Sequence, residues 1–194
     1  FPRDVNKSIY YLTLSANQND SSAQYNLSVI YFFDKSARNI RQAIKLLKYS
    51  AENKNRRAQL FLAHLYFEGQ YLEVDITKAI SLYKEVSCFD NQYAKNNLGV
   101  IYKNSDFNKK YIWAKTFFNE AIKLKRDKLA MFNLSNMLLD EEENSSNISN
   151  EYQQHQNIIK LLIESSFMNF IPSQILLLFL LIKKHGLLNL NIIQ

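Results

Sequence analysis

Four short stretches decide the fold: Ala23-Gln24-Tyr25-Asn26-Leu27, Ala58-Gln59-Leu60-Phe61-Leu62, Ala94-Lys95-Asn96-Asn97-Leu98 and Ala130-Met131-Phe132-Asn133-Leu134. Subtracting the alanine numbers gives spacings of 35, 36 and 36, a regularity that marks an array of like units. Working outward from Ala58, the small and apolar residues fall at Ala58, Leu62, Leu65 and Tyr66, which is one face of a helix, here helix A. A second stripe follows each alanine by about twenty residues: Ala43, Ile44, Leu47 and Ala51, then Ala79, Ile80, Tyr83 and Ser87. This is helix B. Ser8-Ile9-Tyr10-Tyr11-Leu12 precedes Ala23 by the same interval that separates Ala43 from Ala58, so it reads as a helix B with no helix A before it.

Asp4, Asn39 and Asp75 each stand just ahead of a helix B stripe, where a side-chain oxygen can accept from the first free backbone N–H groups. The next unit, starting at Lys110-Tyr111-Ile112-Trp113-Ala114, keeps the stripe but has no acidic cap. Beyond Leu139 the run Asp140-Glu141-Glu142-Glu143 opens a polar stretch without apolar period, expected to be an inserted loop over about 140–152. Periodicity returns with Ile158, Ile159, Leu162 and Ile163, and Ser173 takes the alanine position of a degenerate last repeat over about 153–194. Pro172 suits that helix's first turn. One helix pair cannot bury its own apolar face, so neighbouring pairs must stack. The expected fold is all-α: a right-handed α-solenoid of about five helix-turn-helix repeats, one tetratricopeptide-like domain over 1–194, regular through residue 139. The opening on an unpaired helix B predicts natural sequence upstream of Phe1.

Composition agrees with this reading. The chain has 194 residues, 47% of them hydrophobic, enough to bury about 70% of the surface its unfolded form exposes. Only 3 glycines and 2 prolines are present, too few for the turns of an all-β fold. A lone cysteine, Cys88, excludes an internal disulfide, and a small buried thiol is expected there. With no leader in view, a reducing, cytoplasmic setting is expected. The apolar run Ile175 to Ile182 is much shorter than the roughly 20 residues that cross a bilayer, so it reads as a buried helix. A formal charge of +6 favours anionic partners without choosing among them.

The repeat resembles the Sel-one-like repeat family, relatives of the tetratricopeptide repeats, through Ala58, Leu62, Tyr66, Gly69, Asp75, Lys78, Ala79 and Tyr83, then Ala94, Leu98, Gly99 and Tyr102. Ser28, Ala63 and Ser135 depart at its first glycine, and Asp34 and Ser105 at its second, which puts tight packing and turns in question. The resemblance implies a non-catalytic adaptor or scaffold that binds a protein partner. It also leaves open a regulatory arm of a larger enzyme such as a protein kinase.

Asn26, Phe61, Asn97 and Asn133 recur at the array period, off the core stripe, and are the candidate partner-binding groove. Against them stands a solvated asparagine-rich face. Two basic turns, Lys54, Arg56 and Arg57, and Lys123, Lys125, Arg126 and Lys128, raise the alternative of an RNA-binding repeat module. The turn between them, Phe89-Asp90-Asn91-Gln92, has no basic residue, so a continuous phosphate track is missing and nucleic acid is disfavoured. His64, His155 and His185 lie in separate units without metal-ligand spacing. No metal, cofactor or catalytic set is expected, and the chain does not read as an enzyme. Trp113 replaces the polar Gln42 or Lys78 of its neighbours and is a candidate interface aromatic.

Overall fold

The computed structural model describes residues 4–105, 110–144 and 151–184. Over these residues every element is helical, in the order α1 (Val5–Ala16), α2 (Ser21–Phe33), α3 (Ile40–Glu52), α4 (Arg56–Glu68), α5 (Ile76–Ser87), α6 (Gln92–Lys103), α7 (Lys110–Lys125), α8 (Lys128–Asn144), α9 (Glu151–Phe167) and α10 (Ile171–Lys184). Odd-numbered helices are the B stripes and even-numbered ones the alanine-led A stripes. They fall into two compact units, Phe1–Phe89 and Asp90–Gln194.

In the first unit, consecutive helices from α1 to α5 pack on one another. Ala23, Ala43, Ala58 and Ala79 are all buried, since a methyl group at these positions lets neighbouring helix backbones approach closely. Around them lies one cluster of Phe32, Leu47, Ala51, Leu62 and Leu65, and a smaller one of Ala16, Ala23 and Leu27. The expected caps form: Asp4 accepts from the Lys7 N–H at 2.9 Å, Asn39 from Gln42 at 3.1 Å and Asp75 from Lys78 at 2.9 Å. The two A-to-B turns differ. Gly69 closes α4 at φ +72°, whereas Asp34 is extended and its carboxylate accepts from the Ser36 N–H and hydroxyl. Both turns still bring the next cap home: the N–H groups of Asn39 and Asp75 donate to the carbonyls of Tyr31 and Tyr66 at 2.9 and 3.0 Å.

In the second unit α6 packs on α7, α7 on α8, α8 on α9 and α9 on α10. Ala94, Ala114, Ala130, Ile158 and Ser173 hold the same buried positions. Loss of the first family glycine does not loosen the helices, because the substitutes are small and fully buried: Ser28, Ala63 and Ser135. The serine hydroxyls donate to the carbonyls of Tyr25 and Met131 at 2.6 and 2.7 Å, so no polar atom is stranded. At Gly99 the glycine is needed, since a Cβ there would stand 2.5 Å from the Phe118 ring.

Two expectations are corrected. The acidic stretch is not loop from Asp140: α8 continues through Asn144, since glutamates are good helix formers and Lys103 holds Asp140 at 2.7 Å. The rest of the expected loop, 145–150, lies outside the described residues, and α9 begins at Glu151. Nor is α10 a buried helix. Ile175 is 63% exposed and Leu178 59%, because the apolar run covers the whole circumference of a helix whose neighbour, α9, takes one side.

Candidate functional site

Because the expected groove residues lie three places beyond the repeat alanine, they sit beside the core stripe of each helix A. In the first unit Asn26 is exposed on α2, and its side chain makes no hydrogen bond to another described residue. Phe61 is half-buried and belongs to an aromatic cluster, with its ring 5.0 Å from Phe32 and stacked at 6.1 Å on Phe33. It is therefore part of the packing and not a free anchor. The exposed member is Phe33, 70% accessible, one place past the buried Phe32 and two turns from Asn26 on the same face of α2.

The second-unit pair is joined. Asn133 donates its Nδ2 to Asn96 Oδ1 at 2.9 Å, and Asn96 Nδ2 reaches Asn97 Oδ1 at 3.4 Å. Asn96 is buried, so this amide chain ties α8 to α6. Sequence periodicity singled out Asn97 and Asn133 but missed Asn96, their link.

Another row escaped the sequence reading. In three of the four units the residue after the repeat alanine reaches a neighbouring helix B or its C-cap: Gln24 accepts from Asn53 Nδ2 at 3.2 Å, Gln59 donates to Glu85 at 2.8 Å, and Lys95 pairs with Glu120, while the fourth unit has the buried Met131 there. All three donors or acceptors at the helix A end are at least half-buried, which makes the polar position a clamp between helices. The signal in the sequence is a polar residue after Ala23, Ala58 and Ala94.

The basic turns are occupied in part by internal contacts. Lys54 pairs with Glu85 at 3.1 Å and Arg126 with Glu164 at 3.3 Å, while Arg56 lies over Phe89 and Lys128 over Phe170. These contacts tie down four of the seven basic side chains, while Arg57, Lys123 and Lys125 are exposed without an ion pair to a described residue. Trp113 is 46% exposed and rests against Tyr102 at 5.2 Å, which in turn stacks on Phe117. Cys88 corrects the expected buried thiol: it is exposed at the end of α5, with Sγ donating to the Lys84 carbonyl at 3.3 Å. His64 is exposed, His185 lies outside the described residues, and among those described no group of three or more His, Cys, Asp or Glu converges as metal ligands. No described helix is long and apolar enough to cross a membrane.

Two clefts lie away from the groove residues. A cleft of about 450 Å³ opens between α1 and α3 over α2, and one of about 530 Å³ between α7 and α9 over α8. Both are walled by successive B helices, one in each unit.

The Sel1 repeat family model matches residues 1–20, 21–55 and 56–85. No curated protein matches the sequence. Among solved structures, c5321, a protective antigen of uropathogenic Escherichia coli strains displaying an SLR fold, is 27% identical with a TM-score of 0.72, over 87% of this chain and 35% of its own. A Sel1 repeat protein from Oxalobacter formigenes is 17% identical with a TM-score of 0.68, over 85% of this chain and 65% of its own, a likeness of fold. The chain thus spans about a third of the first protein's length and just under two thirds of the second's. Residues 1–85 thus match Sel1 repeats in sequence, and the described residues share the helix-pair repeat fold of these structures.

Proposed function

We propose that the chain is a non-catalytic protein-interaction scaffold whose partner is held by the A-helix faces bearing Asn26, Phe61, Asn97 and Asn133. The observation that carries this reading is the Phe33–Phe61 stack. It leaves a large ring 70% exposed on the helix face that also carries the Asn26 amide two turns away, on a support that is itself packed. Rigid aromatic area next to a hydrogen-bonding group is what interface hot spots are made of. Asn97 and Asn133 contribute a pre-ordered amide row in the second unit, which a peptide backbone can join without further ordering cost.

Affinity capture from a lysate, repeated with Phe33→Ser and Asn26→Ala, tests the surface. Phe33 is the better probe than Phe61 because its ring is mostly exposed and its loss spares the core. A partner retained by the parent chain and lost with Phe33→Ser, at unchanged helicity and melting temperature, supports the reading. Identical capture by both variants and by Asn97→Ala would sink it.

A further inference from the structure

We infer that the cleft between α7, α8 and α9 binds an acidic peptide segment. Lys115 on α7 and Lys160 on α9 stand on its two walls, both on exposed positions. Neither makes an ion pair with a described residue. The carboxylate in the lining, Glu164, is already held by Arg126 at 3.3 Å. Two uncompensated ammonium groups therefore flank a recess floored by the buried Leu134 and Leu138. Asn119 and Asn157 add exposed amides on either wall, which supply donors and acceptors for a peptide backbone. Paired lysines select carboxylates, the amides select an extended main chain, and the leucines take an apolar side chain between two acids.

The cleft of the first unit is an internal control. Gln42, Lys45 and Leu46 occupy the repeat positions of Asn157, Lys160 and Leu161, one before and two and three after the core residues Ala43 and Ile158. Yet that lining holds a single lysine, drawn over the Tyr49 ring at 5.8 Å, together with Glu52. Its charges cancel, so shape alone repeats and cation excess does not. The inference stands apart from the Phe33–Phe61 surface, since it concerns B helices of the second unit, and either can fail without the other.

Fluorescence anisotropy tests it, with a labelled short peptide of glutamate, leucine and serine and its counterpart carrying glutamine for glutamate. The glutamate peptide is expected to bind and the glutamine peptide not. Lys115→Gln and Lys160→Gln should each weaken binding about two- to five-fold, and together more, as exposed ion pairs do. Added sodium chloride should weaken it further, while Lys45→Gln leaves it unchanged. Both substitutions are on exposed positions, and unchanged circular dichroism checks that the fold survives. Failure of the glutamate peptide to bind, equal binding of the two peptides, or full binding by the double variant overturns the inference. So does displacement of the peptide by inorganic phosphate at the ionic strength of an ineffective chloride control, or tighter lysine-dependent binding of oligouridylate.

Discussion

Asn19, Lys54, Asp90, Arg126 and Asn169 all take left-handed backbone, with φ between +47° and +62°, at the turn that leads from a helix B into the next helix A. Each stands four places before the small core residue, so the turn is a repeat feature, built without glycine. Non-glycine residues are strained there. Asp90 is exposed, and Asp90→Gly should raise stability by about 0.5–1 kcal/mol while Asp90→Val lowers it, read as urea midpoints. The next residue caps helix A: Asp20, Asn55, Asn91 and Asp127 each accept from the N–H of the repeat alanine, at 2.9 to 3.3 Å. Asn55→Ala should cost about 1 kcal/mol in the same measurement. Asp20 adds a pH dependence. The Ser15 hydroxyl, followed by the Ala23 and Ser22 N–H groups, holds its carboxyl below the usual aspartate value. A depressed folded value stabilises above the unfolded one, and that contribution fades as pH falls through the folded value. Asp20→Asn keeps a cap without the charge, so its acid limb of stability against pH should be flatter than the parent's. A parallel limb would remove Asp20 from the account.

At the scale of elements, the helices are held by complementary sizes. Gly99 on α6 meets Phe118 on α7, and the positions equivalent to Gly99 in the other units hold Ser28, Ala63 and Ser135. Gly99→Ala gains up to about 1 kcal/mol in helix propensity but drives a methyl group into a ring, which costs about 1–3 kcal/mol. The expected net effect is a lower melting temperature, restored when Phe118→Leu makes room. If Gly99→Ala stabilises alone, the ring yields freely. A second device joins each outer pair of helices. Ser50 on α3 donates to the Ser21 carbonyl at 2.6 Å, and Ser165 on α9 donates to the equivalent Lys128 carbonyl at 3.1 Å. The middle units carry Val86 and Ala121 there, both buried. Ser50→Ala should thus cost only about 1 kcal/mol, a neutral hydrogen bond's worth, in thermal unfolding.

For the whole molecule, repeat stacking confines most contacts to sequence neighbours, so stability should be nearly a sum over units and their interfaces. Native-state hydrogen exchange should show Gly99→Ala speeding amides of α6 to α8 and leaving α2 to α4 as in the parent. Uniform acceleration along the chain would mean one cooperative block. The helix-pair repeat itself was legible in the sequence, because the alanine period, the 3.6-residue stripes and the Asp4, Asn39 and Asp75 caps all depend on short-range geometry. The candidate surface was legible only in part. Phe61, Asn97 and Asn133 stand out by their period, but nothing along the chain tells that Phe61 leans on Phe32 and Phe33 or that Asn96 bridges its neighbours. The basic turns likewise looked free until Glu85 and Glu164, 31 and 38 residues downstream, came to meet Lys54 and Arg126. Local pattern alone determined that these residues form stacked helix pairs. Which polar groups face outward unsatisfied, and which are consumed by a helix packed from far along the chain, only tertiary structure decided, since hydrogen bonds and ion pairs are settled by proximity in space.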